Sequence, residues 1–265
     1  MNLYALMKDV PYKGKIADLP ISRVTSDSRQ ITPGCMFICI EGARFDGHSV
    51  AEKVLQQGAA AVVVQKDLGF EKQLLVQDSR DAYGKIVSSF YGDPSKKLKL
   101  IGITGTNGKT TCTYLLKHLL ESAGKKVGLI GTIRNEIDDM ALPAKNTTPD
   151  PGELHVLFMR MAQAGCEYVV METSSHAFDQ KRLSGCHFAV GVFTNLTQDH
   201  LDYHITMENY YQAKKKLFDI CDTAVINLDD EYGRRLKDEV SCPVLTFSTH
   251  DDMADYTARA ICPRV

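Results

Sequence analysis

The stretch from Leu100 to Thr111 constrains the fold of this chain more than any other. It reads Leu-Ile-Gly-Ile-Thr-Gly-Thr-Asn-Gly-Lys-Thr-Thr, which predicts a buried strand, a glycine-rich turn and the start of an amphipathic helix. Gly105 and Gly108 allow the backbone to turn tightly and to bring its N–H groups close to an anion. Lys109 would lie against the outer phosphates of a nucleoside triphosphate, and the Thr110 hydroxyl is placed to bind Mg²⁺. The stretch therefore predicts a phosphate-binding loop.

The loop is a variant of the common pattern. A strict Walker loop requires glycine where this chain has Ile103, and the glycines at 102, 105 and 108 do not fit the G-x-G-x-x-G dinucleotide fingerprint. A plain glycine-rich turn before a capped helix would explain the glycines and threonines but not Lys109. The predicted ATP-binding residues are Gly105, Thr106, Asn107, Gly108, Lys109, Thr110 and Thr111.

Composition narrows the class of protein. The 265 residues are 44% hydrophobic and 24% charged with a net charge of −2, which favours a globular chain over a disordered one. No apolar run approaches the length of a membrane span and no long basic stripe is present, so we expect neither a membrane nor a nucleic acid as partner. Eight cysteines without a C-x-x-C pair, the last of them Cys262, are typical of small buried side chains in a reducing compartment. With no secretory signal at the N-terminus, the sequence predicts a cytoplasmic protein.

The chain divides into two predicted domains. Residues 1–95 alternate short strands and helices with a core of their own, and Gly92–Lys97 is a turn-rich, basic boundary. Residues 96–265 repeat strand and helix, which predicts a mostly parallel, doubly wound α/β sheet. The expected elements after the loop are helix 111–123, strand Val127–Ile130, a polar loop to about Pro149, helix Glu153–Ala164, strand Tyr168–Met171, strand Phe188–Thr194, helix Met207–Ile220, strand Ala224–Asn227, helix Tyr232–Glu239 and strand Val244–Phe247.

Polar residues that follow the strands are the candidate site residues, because ligands of such sheets gather at the carboxyl ends of the strands. Glu172 opens the run Glu-Thr-Ser-Ser-His, where it could bind Mg²⁺ or orient an attacking group, although a surface loop with a capping serine or threonine has the same composition. His200 and His204 are four apart, but Leu201 stands where a zinc hydrolase needs glutamate, which disfavours zinc hydrolysis. A lone loop histidine is usually structural, but His200 follows a strand of a nucleotide-binding sheet, where a second Mg²⁺ would need a ligand. Lys214 is one of three consecutive lysines, of which only one can face the site from a helix, and a solvated basic face is the alternative.

These motifs together resemble the Mur ligase family, within it the branch that acts on UDP-N-acetylmuramoyl-L-alanyl-D-glutamate. The resemblance covers nearly the whole chain. It is carried by Gly105–Thr111, Asn146–Thr148, Glu172–His176, Gln180 with Arg182, Thr194–Leu196, Asp199–His204, Ala213–Lys214 and Asn227–Asp230. The Ser-Ser-His and Asp-His-Leu-Asp-Tyr-His segments point to this branch, since the loop alone also fits folylpolyglutamate synthases.

The resemblance implies ATP-dependent amide formation. A substrate carboxylate would take the γ-phosphoryl group, and the amine of an amino acid, diaminopimelate or lysine, would then attack the acyl phosphate. The implied catalytic residues are Lys109, Glu172, His200 and Lys214. Thr110 and Glu172 would bind one Mg²⁺, and His200 with a carbamylated Lys214 would bind a second. Carbamylation needs a neutral amine, and the cationic neighbours Lys215 and Lys216 would lower the pKa of Lys214.

The resemblance also implies a set of substrate contacts. Ser28 would contact the uridine nucleotide from the first domain, and Arg182 suits a diphosphate or a carboxylate. The implied substrate-binding residues are Ser28, Thr147, Thr148, Ser174, Gln180 and Arg182.

The resemblance bears on completeness as well as on activity. Members of the family continue into a third domain that holds the incoming amino acid, so the resemblance implies that this sequence lacks that domain. Two alternatives stay open: a binding fragment without catalysis, and another P-loop amide ligase. A GTPase is disfavoured because no Asn-Lys-x-Asp guanine signature is present.

Overall fold

The computed structural model describes residues 1–43, 45–138 and 140–261, and Cys262 and the end of the predicted second domain lie outside that range. The chain forms two compact units. The first consists of residues 1–94, 150–156 and 181–186, and the second of residues 95–149, 157–180 and 187–265. The predicted boundary lies at residue 95, but two short segments of the predicted second domain, residues 150–156 and 181–186, belong to the first unit.

The first unit is built on a four-stranded parallel sheet in the order β1-β2-β3-β4. Its elements are α1 (Leu3–Leu6), β1 (Arg23–Thr25), β2 (Cys35–Ile38), α2 (Ala51–Gln56), β3 (Ala61–Val64), β4 (Gln73–Leu75) and α3 (Ser79–Phe90), with 3-10 turns at Ser28–Gln30 and Gly47–Val50. Both central strands are buried along their whole length, as expected for apolar runs covered on both faces. The α3 helix begins at Ser79 because the Asp78 carboxylate accepts hydrogen bonds from the N–H groups of Arg80 and Asp81.

The second unit is built on a mostly parallel sheet. After a 3-10 turn at Pro94–Lys97, its strands are β5 (Lys99–Thr104), β6 (Val127–Ile130), β7 (Arg134–Ile137), β8 (Met140–Pro143), β9 (Tyr168–Glu172), β10 (Phe188–Phe193), β11 (Cys221–Asn227), β12 (Val244–Ser248) and β13 (Tyr256–Thr257). The helices are α4 (Lys109–Ser122), α5 (Pro151–Gln163), α6 (Ser175–Asp179), α7 (Leu201–His204), α8 (Met207–Lys215) and α9 (Glu231–Glu239), with a 3-10 turn at Lys216–Asp219. The α5 helix starts in the first unit.

The strand order of this sheet places the phosphate loop. The order is β13-β12-β11-β10-β5-β9-β6-β7-β8, with β5 parallel to both β10 and β9. The chain therefore leaves β5 between two parallel neighbours, and the ends of all three strands lie at one edge of the sheet. The predicted doubly wound α/β fold is confirmed.

Several local predictions are wrong, and β11, for example, starts at Cys221 rather than at Ala224. The expected polar loop before Pro149 contains the antiparallel hairpin of β7 and β8. Polar residues enter this hairpin because Glu136 is neutralised by Lys117, with 3.2 Å between the charged atoms, and by Arg134. The α4 helix starts at Lys109 rather than 111, and the predicted helix Met207–Ile220 ends at Lys215 and continues as a 3-10 turn. None of the helices in the described part of the chain combines the length and apolar composition of a bilayer span.

Candidate nucleotide-binding site

The predicted phosphate loop lies between the end of β5 and the start of α4. Gly105 has φ +147° and Gly108, which precedes the helix, has φ +86°. Both values lie in the region that favours glycine. A Cβ atom on Gly105 would overlap the Thr194 hydroxyl, so this position also lacks room for a side chain. The first intrahelical bond runs from the Cys112 N–H to the Gly108 carbonyl, which leaves the N–H groups of residues 109–111 at the helix end for an anion.

The Lys109 ammonium lies against the loop itself. It donates to the carbonyl oxygens of Gly105 and Thr106, each at 2.9 Å. Burial lowers the pKa of Lys109, and the carboxylates of Glu172 and Asp199 oppose that shift. The cation is thus placed inside the loop, where it can serve a bound phosphate as a point charge.

Glu172 faces the loop from the end of β9. It is 1% exposed, and its carboxylate accepts hydrogen bonds from the Thr110 hydroxyl at 3.0 and 3.1 Å and from the Thr132 N–H at 2.8 Å. The Thr132 hydroxyl adds a further bond of 3.1 Å. A carboxylate and a hydroxyl in contact at a phosphate loop are oxygen donors of the kind Mg²⁺ takes together with phosphate oxygens and water. The donor set therefore fits the predicted first magnesium site.

A segment that follows β10 holds the loop in shape. The Asn195 side chain accepts from the Asn107 N–H at 2.9 Å and donates to the Asn107 carbonyl at 3.2 Å. The Thr194 hydroxyl donates to the same carbonyl at 2.7 Å, and the Thr106 N–H donates to the Asn195 carbonyl at 2.8 Å. These bonds occupy the N–H groups of Thr106 and Asn107, whereas the N–H groups of the first turn of α4 have no intrahelical acceptor and can donate to a phosphate.

Lys214 reaches the same loop from α8. It is 1% exposed, and its amine donates to the Gly105 carbonyl at 2.7 Å, above the ring of Tyr210 at 4.4 Å from the ring centroid. Two lysine amines, those of Lys109 and Lys214, thus converge on one carbonyl oxygen. Burial lowers the pKa of Lys214 well below its ordinary value, the positive charge of Lys109 lowers it further, and Asp199 opposes the shift.

The sequence therefore predicted the direction of this shift but not its cause. Burial and Lys109 lower the pKa of Lys214, and the adjacent lysines that the sequence suggested do not. Lys215 forms an ion pair with Glu239 at 2.8 Å instead. Lys214 is the member of the lysine run that faces the site, as helix geometry requires of one among consecutive residues.

His200 belongs to a cluster of rings beside the loop. Its backbone has φ +51°, its side chain is 48% exposed, and its ring lies 5.0 Å from that of His176 and 6.1 Å from that of Tyr210. His204 is buried, bonds to the Ser175 hydroxyl at 2.9 Å and stacks on Tyr210. Within residues 1–43, 45–138 and 140–261, no group of three or more His, Cys, Asp or Glu side chains could hold a metal ion. Metal binding by His200 stays a prediction.

The predicted substrate residues fall in both units. In the second unit, the Thr148 hydroxyl donates to the Glu172 carbonyl at 2.9 Å and accepts from the Ser174 N–H at 3.0 Å. The Ser174 hydroxyl caps α6, which is the structural role that the sequence left open. Thr147 accepts from the Thr132 hydroxyl at 3.0 Å, and Gln180 directly follows α6. These bonds place Thr147, Thr148 and Ser174 around the Glu172 end of the site.

In the first unit, Ser28 opens a 3-10 turn capped by Asp27, which accepts from the Arg29 N–H at 3.0 Å. Arg182 is 16% exposed and forms an ion pair with Asp150 at 3.1 Å. Ser28 and Arg182 are far apart in the sequence, but both belong to the first unit.

Sequence reasoning missed Thr132 and Tyr210 as parts of the site, and it marked Asn195 only within the Thr194–Leu196 motif, without a role at the loop. Thr132 follows β6 at the same edge of the sheet as the loop, so the search after each strand could have found it. The Asn195 side chain bonds to the backbone of Asn107, which is 88 positions away in the sequence, so no local sequence pattern indicates this contact.

The fold and the site define a P-loop α/β protein with a carboxylate and a hydroxyl in contact at the loop. Comparison with known proteins is more specific. The Mur ligase middle domain matches residues 103–263, and the catalytic domain of the Mur ligase family matches residues 20–91. The chain belongs to the Mur ligase family.

Three of the similar proteins share one name. The chain is 44% identical over 251 residues to the UDP-N-acetylmuramoyl-L-alanyl-D-glutamate–2,6-diaminopimelate ligase of Parabacteroides distasonis. The matched region covers 92% of this chain and 51% of the relative. The chain is 43% identical to the ligase of the same name from Clostridium perfringens, over 97% of this chain and 55% of the relative. A solved structure with that name has a TM-score of 0.81 and 33% identity, over 90% of this chain and 50% of that one. The chain thus spans about half the length of the relatives it matches.

Proposed function

We propose that this chain is the substrate-binding and ATP-binding portion of a ligase that joins an amino acid to UDP-N-acetylmuramoyl-L-alanyl-D-glutamate in peptidoglycan precursor synthesis. The observation that carries the proposal is the contact of Thr110 with Glu172 at the start of α4, next to the Lys109 amine. Such a site serves phosphoryl transfer, which needs positioned positive charge rather than a protein nucleophile. The names of the relatives supply the substrate, and diaminopimelate is the amino acid we propose.

Different residues would bind ATP, Mg²⁺ and the UDP-substrate. The first turn of α4 and Lys109 would hold the phosphates of ATP, while Thr110 and Glu172 would hold Mg²⁺. ATP with Mg²⁺ supplies the phosphoryl group that activates the substrate carboxylate, which by itself is a poor acyl donor. Residues 1–95 would bind the UDP moiety through Ser28, and residues 96–265 would bind ATP. Arg182, Thr147, Thr148, Ser174 and Gln180 would hold the remainder of the substrate.

Lys214 is proposed to be carbamylated and to bind a second Mg²⁺ with His200. Its burial fits this proposal, because a buried amine with a lowered pKa is neutral in a larger fraction of molecules and can add carbon dioxide. The carbamate would carry a negative charge near the Lys109 ammonium, since both amines already contact the Gly105 carbonyl. Carbon-13 NMR in labelled bicarbonate should show a carbamate signal that Lys214→Met lacks.

Substrate binding and product formation test the proposal. Calorimetric titration with UDP-N-acetylmuramoyl-L-alanyl-D-glutamate should show saturable binding, weakened about tenfold or more by Arg182→Ala, which loses a charge-assisted contact. Incubation with this substrate, Mg-ATP and either diaminopimelate or lysine, followed by mass spectrometry, then shows whether ligation occurs. Substrate binding without ligation would indicate a binding portion that lacks catalysis. A folded chain that does not bind the UDP-substrate would contradict the proposal.

A further inference from the structure

Two cysteines of the second unit lie in contact away from the phosphate loop. Cys221 is the first residue of β11, and Cys242 stands two positions before β12. Their sulfur atoms are 3.9 Å apart, and both are free thiols. They lie at the amino ends of their strands, whereas the loop follows the carboxyl end of β5 in the same parallel sheet. The proposed function therefore gives this pair no task.

The backbone around the pair is suited to a covalent link. The β11 and β12 strands are parallel neighbours, with Ala224 paired to Val244, and the Ala224 N–H donates to the Pro243 carbonyl at 2.8 Å. The two sulfur atoms are already in contact at 3.9 Å, and a disulfide bond is about 2 Å long, so the sulfur atoms have to approach by about 2 Å more.

The two thiols differ in access to solvent. Cys221 is 7% exposed, whereas Cys242 is half-buried. Burial, and after it the neighbouring Cys242, raise the pKa of Cys221 to about 12. Cys221 therefore keeps its proton, and Cys242 is the thiol that an oxidant from solvent meets first.

We propose that Cys221 and Cys242 form a reversible disulfide when a peroxide oxidises the pair. The Cys242 sulfur attacks the O–O bond of the peroxide and becomes a sulfenic acid, with release of one water molecule. The Cys221 sulfur then attacks the sulfenic sulfur, and its proton leaves with the hydroxyl group as a second water. Two thiols and one hydrogen peroxide thus give one disulfide and two waters: the sulfurs are oxidised and the peroxide oxygens are reduced. A thiol reductant reverses the reaction by exchange.

The link would close a loop between residues 21 positions apart, which contains α9. A cross-link of that length restricts the unfolded chain. We expect the melting temperature of the oxidised chain to exceed that of the reduced chain by about 5–10 °C. Dithiothreitol should remove the difference.

Peptide mapping by mass spectrometry tests the proposal. The full chain is treated with hydrogen peroxide at equal molar ratio, digested without reductant, and searched for linked peptides. The expected product is a Cys221–Cys242 pair that has lost two hydrogen atoms. Cys242→Ser should abolish it, whereas Cys112→Ser, which removes another half-buried thiol, should leave it unchanged.

Three results would overturn the proposal. They are a link between other cysteines, oxygen added to single cysteines without a link, and equal thiol loss in the wild type and Cys242→Ser. The melting temperature gives a second readout on the wild-type chain alone, so the conclusion does not depend on how well a variant folds. An unchanged melting temperature after complete loss of both thiols would also count against a link between the two strands.

Discussion

The phosphate loop of the second unit and the Asp27–Gln30 turn of the first unit are both predicted to bind ligand, but they are held in different ways. Thr194 reaches the Asn107 carbonyl from 87 positions away, and Lys214 reaches the Gly105 carbonyl from 109 positions away. The Asp27 carboxylate instead accepts from Arg29 and Gln30, two and three positions along the chain. The loop therefore depends on the whole sheet for its shape, whereas the turn is encoded by its own residues.

A substitution that prevents the long-range packing of the loop should have the largest effect. We expect Gly105→Ala to abolish Mg-ATP binding and to lower the free energy of unfolding by about 3 kcal/mol, because it adds a Cβ against Thr194 at a positive φ. Urea unfolding and calorimetry measure the two effects. Gly165→Ala is the matched control, since Gly165 has φ +80° with open space around it. Its expected cost is about 1 kcal/mol. Similar losses of stability and of Mg-ATP binding in both variants would contradict the claim that the loop depends on long-range packing.

The next effect concerns the charge that faces the loop. Glu172→Gln keeps the size of the side chain and an acceptor for Thr132, but it removes the negative charge next to Thr110. We expect the affinity for Mg-ATP to fall about 50-fold, or about 2 kcal/mol, and its magnesium dependence to weaken. Calorimetry with and without EDTA measures this. Glu167→Gln, at an exposed ion pair with Lys125, should bind as the wild type does; undiminished magnesium dependence in Glu172→Gln would show that Glu172 is no ligand.

A smaller effect is expected when a side-chain amide that bonds to a distant segment is removed, compared with an amide that bonds within its own helix. Asn195→Ala removes both side-chain bonds to Asn107 and frees the loop peptide. We expect the affinity for Mg-ATP to fall about tenfold, which is about 1.4 kcal/mol. Gln212→Ala also removes an amide, but one that bonds four positions away to Glu208, and it should leave nucleotide affinity unchanged. If the two variants bind Mg-ATP equally well, the long-range bonds do not hold the loop for its ligand.

The smallest effect belongs to the local turn. Asp27→Asn should weaken UDP-substrate binding about threefold, lower the free energy of unfolding by less than about 1 kcal/mol at pH 7, and leave Mg-ATP binding unchanged. Hydrogen bonds from Arg29 hold the pKa of Asp27 below its ordinary value. The stabilisation is therefore present above the unfolded pKa of about 3.9 and is lost as the pH falls below it. Unfolding of wild type and variant at a series of pH values should show the difference shrinking in that range, and a constant difference would contradict this assignment.

The sequence predicted those parts of the molecule that have a local signature. The glycines and Lys109 indicate the phosphate loop, and the repeated strands and helices indicate the doubly wound fold. Glu172 became a candidate because it directly follows the predicted strand Tyr168–Met171, and in the structure it is the last residue of β9. The hairpin of β7 and β8 was missed because Glu136 is buried there, and a single sequence does not show that Lys117 will neutralise it.

Contacts between distant segments could not be predicted in the same way. Nothing near Asn195 indicates that it will pair with Asn107, and nothing near Lys214 indicates that burial beside Lys109 will lower its pKa. By helical spacing alone, Leu115 and Leu119 of α4 would share one apolar face with Leu116 and Leu120. They are instead 57% and 62% exposed, because only the latter two pack on the core. Their exposure shows that helical spacing gives the width of an apolar stripe but not how much of it is covered.

The most direct measurement is calorimetric titration of Mg-ATP into the chain and into Lys109→Ala. The central claim is that the loop held by residues 194–197 binds the phosphates of ATP through the first turn of α4 and Lys109. It predicts saturable binding by the wild type that weakens at least about 100-fold in the variant, while UDP-substrate binding and the melting temperature stay nearly the same. Equal Mg-ATP affinity of the two proteins, or no binding by a folded wild type, would contradict it.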